Sequence, residues 1–148
     1  QSSITTDSAP LNSMVEELVG QLGSQLHTLR DPTRGGVATT LKEIALLSQV
    51  EITLQETALP IDSAVGGACA ILGLDPLFVA NEGKLLAFTT AEAAPHALKI
   101  MQGHVYGKQA AIIGEVTAVA DGKVRLQTTI GGLRAIEMLA GEQLPRIC

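Results

Sequence analysis

The stretch DPTRGG, which begins at Asp31, combines residue types that suit phosphate binding. Gly35 and Gly36 would let backbone N–H groups approach a ligand closely, and a helix beginning there would add free N–H donors. Arg34 can pair with a phosphate through two parallel hydrogen bonds, and Thr33 offers a hydroxyl. Asp31 could cap the helix or position a metal-bound water. These residues predict an oxyanion-binding loop, called the glycine loop (residues 31–36) below.

An ordinary loop without a ligand would explain the same residues equally well. Asp31 would open the loop, Pro32 would stiffen it, and the two glycines would let the chain turn. The pattern is neither a Walker A motif nor GxGxxG. The residues of the glycine loop therefore leave both interpretations open.

A second candidate is ANEGKL, called the glutamate segment (residues 80–85). Apolar runs at 77–80 and 84–89 flank it, which predicts two strands joined by a tight turn at residues 81–83. A half-buried Glu82 at such a sheet edge could act as a general base. A solvated hairpin tip is the alternative, and Glu82 taken alone favours it.

The third candidate is the final stretch LPRIC, which ends in the thiol of Cys148. Pro145 blocks a regular element, while Arg146 favours the thiolate and the terminal carboxylate opposes it. From Gly141 onward the arm could reach roughly 25 Å, at about 3.3 Å per extended residue. A nucleophile on such an arm resembles a carrier cofactor. The alternative is a disordered tail with an incidental cysteine.

Composition excludes several classes of protein. The 148 residues are 46% apolar and 17% charged, which indicates one globular domain. The net charge is −5, the basic residues are scattered, and the only aromatic residues are Phe78, Phe88 and Tyr106, so we expect no nucleic-acid partner. Neither a membrane-length apolar run nor a signal peptide is present, so we expect no membrane partner. The chain starts at Gln1 rather than Met, which indicates a piece of a longer protein.

The cysteines and histidines predict neither a disulfide framework nor a metal site. Cys69 lies in the apolar stretch AVGGACAILGL and is predicted to be a small buried residue. The number and placement of the two cysteines fit a reducing compartment, so we expect a cytoplasmic protein. His27, His96 and His104 stand apart, without a second ligand at metal spacing.

The hydrophobic periodicity predicts helices and strands in no strict βαβ order. Helices are predicted at 12–26 (capped by Asn12 or Ser13), 37–48, 63–74 (short and buried) and 91–102 (with Pro95 in its first turn), and strands at 51–57, 77–80, 84–89, 110–119, 123–129 and 131–139. Residues 120–122 predict a hairpin turn between two of these strands. The fold class is therefore α+β, with a mixed, largely antiparallel sheet packed with helices. We expect a linker or frayed lead-in at 1–10, the domain at 11–140 and a flexible tail carrying the cysteine at 141–148.

LRDPTRGGVATTLKEIA, followed by ANEGKLL and a terminal PRIC, resembles the C-terminal domain of the hydrogenase maturation factor family HypE. That family belongs to the aminoimidazole ribonucleotide synthetase-like superfamily of ATP-using enzymes. The resemblance spans essentially the whole chain. DPTRGG alone indicates the superfamily, whereas its combination with a terminal PRIC is much more specific.

The resemblance implies an ATP-dependent carbamoyl dehydratase. A HypF-like carbamoyltransferase would load Cys148, dehydration would give a thiocyanate, and an iron-scaffold complex like HypC–HypD would receive the cyano group for the [NiFe]-hydrogenase iron. Phosphoryl transfer needs Mg²⁺, cations and backbone donors, which suits Asp31, Thr33, Arg34, Gly35 and Gly36. Glu82 is our hypothesis for the base.

The resemblance also implies a missing N-terminal domain. In the family that domain supplies most ligands of ATP and Mg²⁺ and the main interface of a homodimer, so we expect the chain to be inactive by itself. A selenophosphate or purine-pathway synthetase is a rival, but neither has an evident use for a terminal thiol. A non-catalytic docking module for other maturation proteins is the second rival, and nucleotide binding would discriminate it from a catalytic part.

Overall fold

The computed structural model describes residues 8–118 and 121–138, and these ranges contain helices and two separate sheets. The α-helices are α1 (Asn12–Leu22), α2 (Gly36–Ser48), α3 (Ser63–Leu72) and α4 (Ala94–Gly103). The strands are β1 (Leu26–Arg30), β2 (Glu51–Gln55), β3 (Leu86–Thr89), β4 (Gly114–Thr117), β5 (Val124–Gln127) and β6 (Leu133–Ile136). In the described part of the chain, no helix has the length and apolar character that crossing a membrane requires.

The larger sheet has the strand order β4-β2-β5-β6. β2 is parallel to β5, and the other neighbouring pairs are antiparallel. The smaller sheet is the antiparallel pair of β1 and β3. The predicted α+β class with a mixed, largely antiparallel sheet is therefore confirmed.

The first predicted helix is too long. Leu22 and Leu26 continue the helical spacing, but α1 ends at Leu22 because Gly23 takes a positive φ of 52°. Leu26 instead begins β1, a strand that the sequence interpretation missed. The predicted cap is also wrong, since Leu11 is the N-cap of α1 and no side chain bonds there.

Neither predicted hairpin forms. Residues 77–80 make no strand, because Asp75 accepts a hydrogen bond from the Leu77 N–H at 3.0 Å and starts a 3₁₀ turn at Pro76–Phe78. β3 pairs with β1 rather than with that stretch. β4 and β5 are not neighbours either, because β2 lies between them and pairs with both. Strand periodicity thus identified the strands of the larger sheet but not their partners.

Aliphatic side chains build two cores, as the scarcity of aromatic residues predicts. One face of α2 covers the larger sheet, and the buried members of this cluster are Ala38, Leu41, Ala45, Ile52, Leu54, Leu77, Val124, Leu126 and Ile136. A second cluster joins α1 to α4 through Met14, Leu18, Leu22, Ala93, Ala97 and Ile100. The first cluster holds α2, the helix that follows the glycine loop, against the larger sheet.

Helix α3 is apolar and yet largely exposed. Its N-cap is Asp62, whose carboxylate accepts from two backbone N–H groups, and Gly73 ends it in the left-handed conformation. Cys69 is its buried residue, as predicted, but Ile71 is 88% exposed. The helix was therefore predicted correctly and its burial was not. The position of Pro95 in the first turn of α4 is confirmed.

Replacing Leu54 with Ala should lower the free energy of unfolding by about 2–5 kcal/mol, because the side chain is 1% exposed at the centre of the sheet core. Urea denaturation of the 148-residue chain measures the change. Leu47→Ala is the matched control, since Leu47 is 82% exposed and the change should stay within about 0.5 kcal/mol. Equal losses in the two variants would contradict the assigned core.

Candidate functional site

The glycine loop connects the end of β1 to the start of α2. Pro32 is fully buried, whereas Asp31 and Arg34 are exposed and Thr33 is half-buried. Gly35 and Gly36 have φ values of 70° and 63°, a conformation that other residues rarely adopt. The prolyl ring therefore anchors the loop in the protein while the charged side chains remain accessible.

Gly36 is in close contact with the chain that precedes the glutamate segment. A Cβ atom at this position would lie 2.5 Å from the carbonyl oxygens of both Leu77 and Val79. No side chain fits at such distances. The missing side chain lets the two backbones pack directly against each other at the start of α2.

A hydrogen bond continues this contact into the glutamate segment. The N–H of Asn81 donates to the carbonyl oxygen of Pro32 at 3.1 Å, and its side-chain Nδ2 donates to Val79 O at 2.8 Å. The structure therefore brings the two predicted stretches together, without the hairpin that was expected. Glu82 is the next residue and is exposed in this chain rather than half-buried.

Sequence reasoning singled out Glu82 and missed Asn81. The residue type could have indicated the role of Asn81, because asparagine side chains readily form hydrogen bonds with nearby backbone groups in turns. The two hydrogen bonds of Asn81 fix the backbone immediately before the carboxylate.

The first turn of α2 is less open than the sequence suggests. The N-cap is Gly35, and no side chain caps the helix, so of the two roles considered for Asp31 the capping role is wrong. Gly36 is buried, and its N–H donates to Thr33 O at 3.3 Å. The atoms that an anion could reach belong mainly to Arg34, Thr33 and Gly35.

Two of the three histidines, His96 in α4 and His104 at its C-cap, make contacts with α1. His104 bonds to Glu17 at 2.7 Å and His96 bonds to Gln21 at 3.0 Å, across a groove of about 460 Å³ between α1 and α4. In residues 8–118 and 121–138, no three His, Cys, Asp or Glu side chains come together as a metal site would need.

Away from the glycine loop, a hydrogen bond from Lys123 lowers the pKa of the exposed Asp121 carboxyl in the turn before β5.

Cys148 lies outside the described residues, so its predicted role as carrier stays a prediction.

Comparison with known proteins identifies the class of this fold. Residues 6–127 match the family described as "AIR synthase related protein, C-terminal domain". The chain therefore belongs to this family.

Similar relatives and solved structures identify a particular group within this family. The chain is 47% identical to "Carbamoyl dehydratase HypE" of Rhizobium leguminosarum bv. viciae and 48% identical to that of Cupriavidus necator, in each case over 98% of the chain and 41% of the relative. A crystal structure of the hydrogenase maturation protein HypE superposes with a TM-score of 0.93 at 47% identity, over 100% of this chain and 48% of that one. The predicted resemblance to HypE is confirmed. The chain spans less than half the length of these relatives.

Two related structures contain other molecules. A HypE crystal structure in complex with ATP has a TM-score of 0.91 at 47% identity, over 99% of this chain and 44% of that one. A HypE–HypF complex has a TM-score of 0.85 at 44% identity, over 90% of this chain and 43% of that one.

Gly36→Ala should lower the free energy of unfolding by about 2–5 kcal/mol, because it adds backbone strain at positive φ to a clash with two carbonyl oxygens. Urea denaturation measures the loss. Gly20→Ala is the control: Gly20 lies within α1, nothing stands within 4 Å of its added Cβ, and the helix should gain up to about 1 kcal/mol. A stable Gly36→Ala variant would contradict the close backbone contact.

Proposed function

We propose that the chain is the C-terminal part of an ATP-dependent carbamoyl dehydratase, which converts a carbamoyl group on Cys148 into a thiocyanate. The product would supply cyanide ligands to the iron of [NiFe]-hydrogenase. The observation that carries the proposal is the hydrogen bond from the Asn81 N–H to Pro32 O, which joins the backbone next to Glu82 to the glycine loop. Relatives named carbamoyl dehydratase, similar over nearly the whole chain, support it.

The reaction removes an oxygen atom and two protons from the carbamoyl group. The amide oxygen leaves poorly, and a phosphoryl group from ATP converts it into phosphate, which leaves well. Together, the S-carbamoyl group and ATP give S–C≡N, ADP, hydrogen phosphate and one released proton. The chain must therefore supply a group that binds phosphate and a base that accepts N–H protons.

The glycine loop fits the phosphate end of this reaction. The guanidinium of Arg34 is exposed and can hold two phosphate oxygens, and Thr33 and Gly35 are accessible beside it. The exposed carboxylate of Asp31 has the oxygen ligands that Mg²⁺ prefers, directly or through a water. One carboxylate does not complete a Mg²⁺ site, so we assign the remaining ligands to the rest of the full-length protein.

Glu82 is the proposed base. Because Asn81 bonds to Pro32, the backbone of Glu82 begins next to the loop that would hold the phosphate. In this chain the carboxylate is exposed, and the rest of the full-length protein would cover it and form the other wall of the cleft.

The whole protein would contain more than this chain. The missing N-terminal domain would hold most of the nucleotide and form the homodimer, and the chain by itself would be inactive. A HypF-like carbamoyltransferase is the proposed partner for loading Cys148, supported by the related HypE–HypF complex. A HypC–HypD-like scaffold would accept the cyano group, and we place these steps in the cytoplasm.

A non-catalytic docking module is the second candidate function. The largely exposed apolar helix α3 favours it, because such surfaces commonly bind other protein segments. Titration of the 148-residue chain with ATP and Mg²⁺ discriminates the two. Binding that is lost in Arg34→Ala supports a catalytic half-site, whereas no detectable binding supports the docking module. Binding that Arg34→Ala leaves unchanged argues against the glycine loop.

In the full-length protein, Glu82→Gln should stop dehydration and leave carbamoylation intact, because the amide cannot accept the proton. Intact mass spectrometry after incubation with the transferase, carbamoyl phosphate and ATP separates the two steps. Glu92→Gln is the matched control, an exposed glutamate ten residues further along, and should retain both steps. Unchanged dehydration in Glu82→Gln would remove Glu82 from the mechanism.

Cys148→Ala should abolish the mass gain of one carbamoyl group, because no other residue is proposed to carry it. Cys69→Ala is the control, since the thiol of Cys69 is buried. If the Cys148→Ala protein is still carbamoylated, or if the unaltered full-length protein never is, the carrier proposal fails.

A further inference from the structure

The first turns of α2 contain two neighbouring threonines with different surroundings. Thr40 is buried, and its Oγ1 donates to Gly36 O at 3.0 Å, the bond that threonine hydroxyls in helices commonly make with the carbonyl four residues earlier. Thr39 is half-buried, and its Oγ1 forms no hydrogen bond with any residue that the structure describes. The Thr40 hydroxyl is thus used within the helix, whereas the Thr39 hydroxyl can still bind another group.

The Thr39 hydroxyl lies over Gly35 in the glycine loop. A Cβ atom at Gly35 would collide with Thr39 Oγ1 and would stand 2.6 Å from Thr39 Cβ. Side chains of a helix lean towards its N-terminus, which explains why Thr39 covers the residue one turn before it. The missing side chain at Gly35 therefore leaves room for this hydroxyl at the loop.

The same hydroxyl is accessible from outside. Among the described residues, every fully buried side-chain nitrogen or oxygen has a hydrogen-bond partner. Thr39 Oγ1 has none, so it is in contact with solvent rather than enclosed. The backbone N–H of Thr39 already donates to Gly35 O at 3.2 Å. Thr39 can therefore offer a ligand its hydroxyl, on the loop that also bears the exposed Arg34.

We propose that Thr39 is a phosphate-binding residue, whose hydroxyl donates a hydrogen bond to the terminal phosphate of ATP. This proposal rests on the proposed function. The glycine loop is bonded to the chain that leads to Glu82, so the phosphate beside the loop is the one nearest to the base and to the carbamoyl oxygen. That phosphate is the one transferred, and Thr39 adds a donor from α2 to those of the loop.

This contact would help the site to distinguish ATP from ADP. A hydrogen bond to a charged group is stronger than one between neutral groups, and its complete loss costs more than tenfold in affinity. Water can take the place of the hydroxyl in part, so we expect a loss of about three- to tenfold. ADP lacks the terminal phosphate, and its affinity should not depend on Thr39.

Thr39→Val in the full-length protein tests the proposal. Valine has nearly the shape of threonine and replaces the hydroxyl with a methyl group, so the fold should persist. Isothermal titration calorimetry with Mg²⁺ and the β,γ-imido analogue of ATP should show three- to tenfold weaker binding, and the KM for ATP in dehydration should rise by the same factor. The affinity for ADP and the rate of carbamoylation by the partner should be unchanged.

The controls separate a lost hydroxyl from general damage. Thr39→Ser keeps the hydroxyl and should recover most of the affinity for the analogue. Thr117→Val removes an exposed hydroxyl from β4, where Thr117 pairs with Glu51, three residues after the end of α2, and should bind the analogue as the unaltered protein does.

Three outcomes would count against these assignments. Unchanged affinity for the analogue in Thr39→Val, or an equal loss of affinity for ADP, overturns the proposed role of Thr39. Absence of dehydration in the unaltered protein, with the analogue still bound through Thr39, would overturn the proposed function alone. Failure of the unaltered protein to bind the analogue would overturn both.

Discussion

The contact of Gly36 with the carbonyl oxygens of Leu77 and Val79 is the constraint on which the candidate site depends. It joins two backbones directly, without long side chains whose rotamers could vary. The bond from Asn81 to Pro32 then aligns the chain that continues to Glu82. A site held in this way has little conformational freedom left to lose when a ligand binds.

Helix α2 connects the candidate site to the core of the domain. Its apolar face covers the sheet through Ala38, Leu41 and Ala45, and Thr40 Oγ1 donates to Gly36 O at 3.0 Å. The glycine loop is therefore attached to the rigid end of a packed helix. Placing reactive groups on well-supported elements is how proteins keep them within productive distances.

Local sequence patterns predicted what depends on local forces. The spacing of apolar residues predicted α2 and α4, alternation predicted β2, and the glycines predicted the turn into α2. The position of Pro95 in the first turn of α4 followed from the missing N–H of proline.

The tertiary arrangement of these elements could not be predicted in the same way. Leu26 has the spacing of a helix residue but joins a strand, because Gly23 interrupts the helix. The partners of β2 and β3 depend on which exposed edges are covered, and no alternation pattern contains that information. The apolar composition of α3 likewise does not show which of its faces is covered, and Ile71 is 88% exposed.

The central position of β2 has a consequence for the order of folding. Its parallel partner places Val124 opposite Ile52, and its antiparallel partner places Val116 opposite the same residue. Both neighbours are synthesised about sixty residues later or more, so β2 leaves the ribosome with its two edges unpaired. The larger sheet must close by long-range contacts, which makes its formation slow compared with that of the helices. During translation, the early apolar half of the domain depends on late residues for shelter from aggregation.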